Sequence, residues 1–162
     1  MVMKGTNTDE NGEETEKRSK GASGKKFSAT DKLYLDTYVF MDMLSGKEEL
    51  ANKAKQYLKG YSVVSAVVFA EISFHVARRD ADSVSEILYL IESLPNLRVI
   101  PVTQEIATLA GSLRGKYRKK IEKKLTYFDC IHIATAISEK CAKFITGDRG
   151  MRDINEIEVE VY

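Results

Sequence analysis

Residues 126–150, TYFDCIHIATAISEKCAKFITGDRG, constrain this chain more than any other stretch. They read as an apolar helix with an acid at its start, a short buried strand, and a second acid in the turn beyond. Asp129 and Asp148 therefore stand at the two ends of one helix–strand unit. Whether they meet in space depends on what the rest of the chain builds around that unit.

Upstream, the same grammar repeats. A strand over 32–36 ends on Asp36, and an apolar helix over 37–44 closes at Ser45-Gly46. A helix over 48–58 puts Leu50, Ala54, Tyr57 and Leu58 on one face. A β-branched strand over 61–65 follows, and Ser65 is placed to cap a helix over 66–78. Asp82 and Ser83 are candidate caps for a helix to Leu94, with an apolar stripe of Val84, Ile87, Leu88, Ile91 and Leu94. Tyr89 and Leu90 widen that surface, which implies deeper burial or else a homodimer or partner-helix face. A strand over 97–102, a helix opened by Thr103, the 127–140 helix, a strand over 143–146 and a β-like segment over 157–161 complete the chain. Strands alternating with helices imply an α/β fold, a parallel sheet covered on both faces.

Residues 1–30 are polar and mixed in charge, too poor in apolar groups to offset the entropy of ordering. The expectation is a disordered tail over 1–30 and one domain over 31–162. The chain has 43% apolar and 30% charged residues and a net charge of +1, so any basic footprint must be local. One such run spans 114–124, RGKYRKKIEKK, with Tyr117 interleaved; it suits either an RNA backbone or a solvated helix end. Cys130 and Cys141 sit on one expected helix about 16 Å apart along its axis, too far for a disulfide. Buried free thiols, no long apolar run and no signal-peptide core together suggest a cytoplasmic protein away from membranes.

In a parallel α/β sheet every strand points its C-terminus to one edge, and ligands bind there where strand order reverses. Asp36 ends the first strand, and Asp148 follows the fourth by two residues. Helices run back antiparallel, so their N-termini share that edge; Glu71 and Asp129 lie in the early turns of two of them. Four clustered carboxylates repel unless protonated or paired with cations. Hard oxygen donors select Mg²⁺ or Mn²⁺ over zinc. A pair of such ions about 3.5–4 Å apart would activate water for phosphodiester hydrolysis. Each acid also has a plain local reading: Asp36 as a helix cap, Glu71 paired with His75, Asp129 in a capping box with Thr126, Asp148 as a turn acid. His132 shares a helix face with Asp129 and reads first as a packing histidine.

Asp36-Thr37, Val64-Ser65-Ala66 followed by Ala70-Glu71, the run from Asp129 to Ala136, and Ile145-Thr146-Gly147-Asp148-Arg149 resemble, in that order, the PIN-domain ribonucleases, and most closely the VapC-type toxins of toxin–antitoxin pairs. The resemblance implies a three-layer PIN-like fold with a five-stranded parallel sheet. It also implies a metal-dependent endoribonuclease with an RNA substrate, a small antitoxin protein as partner, and a homodimer. By motif position Asp36, Glu71, Asp129 and Asp148 take the metal-binding and catalytic acid places, with Thr146 supporting a carboxylate or water. The chain departs from the pattern at Gly150, where many relatives carry a further acid and Asp153 is offset, and at Tyr38, where a small polar residue is common. These departures motivate a second class of function, a catalytically silent RNA- or protein-binding module. Phosphotransfer folds of similar topology fit poorly, because Tyr38 stands where a phosphatase of that kind needs an acid.

Overall fold

The computed structural model describes residues 31–120 and 124–162. The tail expected over 1–30, and residues 121–123 of the basic run, lie outside the described residues.

Five strands form one parallel sheet: β1 (Leu33–Leu35), β2 (Ser62–Ser65), β3 (Leu97–Ile100), β4 (Lys143–Thr146) and β5 (Val159–Val161), in the order β3-β2-β1-β4-β5. The chain builds outward from β1 to β3, then returns to the other side of β1. Strand order thus reverses between β1 and β4, whose C-terminal ends carry Asp36 and Asp148. In register, Tyr34 lies between Val63 and Phe144, and Leu35 lies beside Ile145.

The period-two alternation of these strands divides the core between two helical layers. Tyr34, Val63 and Phe144 face α5 (Gln104–Tyr117) and α6 (Tyr127–Ser138), where Ile106, Leu113, Ile133 and Ala134 are buried. Leu33, Leu35, Val64 and Ile145 face α1 (Thr37–Met43), α2 (Glu48–Tyr57), α3 (Val67–Ala77) and α4 (Val84–Glu92). The result is the three-layer α/β architecture read from the sequence.

Local chemistry sets the helix starts nearest the site. The Asp36 carboxylate accepts the Thr37 amide at 2.8 Å, so the last residue of the first strand segment is also the cap of α1. At α6 the Thr126 hydroxyl accepts the Asp129 amide at 3.1 Å, while the Asp129 carboxylate accepts the Thr126 amide at 2.6 Å, a complete capping box. Gly46, in the left-handed region at φ +72°, turns the chain after α1 where a side chain would be strained.

Three local expectations are corrected and one is refined. Ser65 is buried at the end of β2 and its hydroxyl accepts the Val67 amide at 3.5 Å, while Ala66 occupies the cap position of α3. Ser83 precedes α4, but its hydroxyl bonds Asp80 instead of the helix amides. Tyr89 and Leu90 are exposed, at 73% and 47%, which overturns the deeper-burial reading and not the alternative of a homodimer or partner-helix face, since α4 packs through Val84, Ile87, Leu88, Ile91 and Leu94. Cys141 lies past the end of α6 and is only partly buried, while Cys130 is buried within it.

Phe144 is fully buried and stacks on the Tyr34 ring, with centroids 5.1 Å apart. Phe144→Ala is expected to lower unfolding free energy by about 3–5 kcal/mol, measured from the urea midpoint, because this ring fills the seam between sheet and α6.

Candidate active site

A single hydrogen-bonded chain of side chains runs across the C-terminal edge of the sheet. It starts at β4, where the Thr146 hydroxyl accepts the Asp148 amide at 2.9 Å and donates to Asp36 Oδ2 at 2.5 Å. Asp36 Oδ1 accepts the Thr37 amide, and the Thr37 hydroxyl donates to Glu71 Oε2 on α3. That same Glu71 oxygen lies 2.7 Å from His132 Nε2 on α6. His132 Nδ1 in turn lies 2.6 Å from the Tyr34 hydroxyl, which accepts the Ser65 amide at 2.9 Å. Residues from β1, α1, β2, α3, α6 and β4 are therefore locked into one network.

Both ring nitrogens of His132 are thus engaged, Nδ1 with the Tyr34 hydroxyl and Nε2 with Glu71. Burial opposes charge on the His132 ring, but the bond to Glu71 and the charges of Asp36, Glu71 and Asp129 outweigh it and raise its pKa. Glu71 moves the opposite way: burial pushes its pKa up, and the bond and charge of His132, with the Thr37 hydroxyl, bring it below the usual range. Asp36 is held above its usual range, chiefly by burial and also by the charge of Glu71, against the relief given by His132, Thr146 and Thr37. A buried carboxylate that two hydrogen-bond donors do not fully compensate is a position where a cation lowers the energy most.

The four acids singled out in the sequence are thus not equally assembled. Asp36 and Glu71 are joined through Thr37 and His132, and His132 Nε2 is 4.0 Å from Asp36 Oδ1. Asp129, one turn before His132 on α6, acts on that ring through its charge while its carboxylate bonds the Thr126 amide. Asp148 meets the network through its backbone amide, and its carboxylate accepts the Gly150 amide at 2.8 Å. Among the described residues no three Asp, Glu, His or Cys side chains converge closely enough to hold a metal ion. Both the Asp129 and the Asp148 carboxylates take up backbone N–H donors, so their local readings hold as local structure. The donor set nevertheless fits Mg²⁺ or Mn²⁺ in kind: four carboxylates, hard oxygens all, with Asp36 the deeply buried one.

Both departures from the family pattern have a structural place. The Gly150 amide caps Asp148, so a backbone donor stands where many relatives have an acid. Asp153 does not replace it; with Lys116, Lys120 and Arg152 it lines a separate surface cavity. Tyr38 is half-exposed and lies over Gly147, where a Cβ would come within 3.1 Å of the ring. A side chain at that position would require the Tyr38 ring to give way by a few tenths of an ångström.

Sequence reasoning underweighted three members of the network. Tyr34 read as an apolar strand residue, yet it lies two positions before Asp36 and so on the same face of the strand. His132 read as packing, although its spacing from Asp129 signalled a shared helix face. Thr37 had no signal beyond following Asp36.

A parallel sheet whose strand order reverses beside β1 defines the class of open α/β proteins, in which ligands bind at the C-terminal edge of the switch point. Within that class, this chain belongs to the PIN domain family, whose model matches residues 33–157. No curated protein matches the sequence. Among solved structures the fold is similar to VapBC2 from Rickettsia felis bound to a fragment of its promoter DNA, at 18% identity and TM-score 0.64, covering 80% of this chain and 98% of that one. It is also similar to FitAcB from Neisseria gonorrhoeae, at 22% identity and TM-score 0.61, covering 78% and 95%. A third is Mycobacterium tuberculosis VapC20, described as a toxin that cleaves the sarcin–ricin loop, at 15% identity and TM-score 0.60, covering 77% and 98%.

Thr146→Val keeps the shape but leaves the buried Asp36 oxygen without a donor and the Asp148 amide without an acceptor. It is expected to cost about 1–3 kcal/mol in denaturant unfolding and to raise the Asp36 pKa further, read by carboxyl-carbon NMR titration.

Proposed function

We propose that this protein is a divalent-metal-dependent endoribonuclease and the toxin of a toxin–antitoxin pair. The observation that carries this reading is Asp36: a buried carboxylate at the sheet switch point, tied to Asp148 through Thr146 and to Glu71 through Thr37. Membership of the PIN family and likeness to the folds of VapBC2, FitAcB and the VapC20 toxin support it. The loop-cleaving activity stated for VapC20 favours RNA as the substrate class. A small antitoxin is the partner such an activity requires inside a cell, and a cytoplasmic homodimer completes the reading. No helix among the described residues is long and apolar enough to cross a membrane.

Asp36, Glu71, Asp129 and Asp148 would hold Mg²⁺ or Mn²⁺, which supplies an activated water and stabilises the charge of the departing oxygen. The chain's own residues prepare that site. Thr146 fixes one oxygen of Asp36, and His132 fixes one oxygen of Glu71. Tyr34 holds the His132 ring from inside the core through the bond between its hydroxyl and Nδ1. Pre-set carboxylates lose little freedom when a substrate arrives.

A silent binding module remains the second reading, favoured by the Asp129 capping box and the Gly150 amide at Asp148. Mn²⁺ separates the two. On the nuclease reading, Mn²⁺ raises the melting temperature of the wild type, Asp36→Asn abolishes that rise, and EDTA stops RNA cleavage. His132→Gln should cut kcat by about 10–100-fold with folding intact, the usual effect of removing a group that orients a metal ligand. RNA cleavage that survives both EDTA and the Asp36→Asn, Asp129→Asn double variant would sink the proposal.

A further inference from the structure

Between the C-terminal half of α5 and the start of α6 lies an open cavity of about 590 Å³, whose lining residue Tyr127 stands two positions before Asp129. Its wall includes Gly111, Arg114, Gly115 and Arg118 from the α5 side, and Lys124 and Tyr127 from the segment entering α6. Three cations face it and, among the described residues, no acid does. The whole chain carries a net charge of only +1, so this concentration of positive charge is local.

Arg114 is held in place: Nη1 donates to the Leu125 carbonyl at 3.3 Å, and its guanidinium lies over the Tyr127 ring, 4.3 Å from the centroid. An arginine fixed this way gives up little rotamer freedom on meeting a phosphate. Tyr127 is 62% exposed, which leaves aromatic surface for a further planar group. Position matters as much as chemistry. Leu125 neighbours Thr126, whose amide holds the Asp129 carboxylate, and Tyr127 precedes Asp129 by two residues.

The glycines give an independent indication. Gly111 and Gly115 lie one turn apart in the interior of α5, where glycine weakens a helix. Neither is needed for packing, since a Cβ on either would meet open space. Both border the cavity, so bare backbone is presented to whatever enters it.

We propose that this cavity is a substrate subsite that holds one nucleotide unit of single-stranded RNA on the α6 side of the acids, with Arg118 and Lys124 on its flanking phosphates and a base against Tyr127. Arg114 is a positioning residue that keeps Tyr127 and the Leu125 carbonyl in place. This rests on the ribonuclease reading and adds to it the path by which RNA reaches Asp129. Cations interleaved with an aromatic ring suit a strand with phosphates on one side and π-faces on the other.

The test uses the full chain carrying Asp36→Asn, which allows binding to be measured without turnover, and a labelled single-stranded RNA of about 12 nucleotides. Fluorescence anisotropy across a salt series reads affinity and its salt slope. Adding Arg118→Ala and Lys124→Ala should weaken binding about tenfold and flatten the slope by about 1.4, the value for two lost phosphate contacts on a single strand. Adding Gly115→Leu instead fills the cavity without touching a charge. It should weaken binding several-fold at unchanged salt slope, with a melting temperature equal to or above the parent's. RNA affinity and slope indifferent to both changes overturn the subsite and leave the ribonuclease reading standing. Wild-type protein that neither binds nor cuts RNA overturns both.

Discussion

Placing the Asp36 carboxylate inside the protein is the constraint on which the rest of the structure depends. It directly follows β1 at the point where strand order reverses, and burial there makes its charge costly. Every nearby element contributes to that cost or relieves it. β4 brings the Thr146 hydroxyl, α1 brings the Thr37 amide, and α6 brings His132 to within 4.0 Å. A backbone without these donors at this edge would expel the carboxylate or protonate it. With them, the acid is held in one orientation and still lacks full compensation, which is the condition for drawing in a cation.

The core and the site are one construction in this fold. Tyr34 packs its ring against Phe144 while its hydroxyl bonds His132 and the Ser65 amide. His132 is buried in the face of α6 that covers the sheet, yet its far nitrogen reaches Glu71. Side chains that fill space on the α6 side thereby set the direction of a carboxylate on α3, a helix in the opposite layer. This coupling explains why a histidine among apolar residues is compatible with a close-packed interior: both ring nitrogens are satisfied. The same economy recurs at Thr146, whose hydroxyl serves as acceptor for one acid's backbone and donor for another's side chain.

Positive charge is distributed with similar selectivity. Lys116 pairs with Glu156, so it is neutralised although it lies in the basic run. Arg114, Arg118 and Lys124 border a cavity whose described lining has no acid. A near-neutral chain can thus present a local cationic surface where several basic side chains border one cavity.

Much of the architecture was legible in the linear pattern. Apolar runs of strand length, separated by helices with Thr103 and Thr126 as caps, specify an α/β sheet because backbone pairing and burial leave few other solutions. The edge shared by Asp36, Glu71, Asp129 and Asp148 followed from chain direction alone. Two further things depended on tertiary packing. The exposure of Tyr89 and Leu90 was decided by which side of α4 meets α3, which periodicity does not specify when apolar residues surround a helix. The line from Tyr34 through His132 to Glu71 joins residues 98 and 61 positions apart, and its bonds exist only once sheet and α6 are packed at hydrogen-bonding distance. Sequence determined which residues carry the acids and on which edge they stand. Only the folded chain decided which of them share a proton network, because a hydrogen bond depends on separations of a few tenths of an ångström that no spacing in sequence encodes.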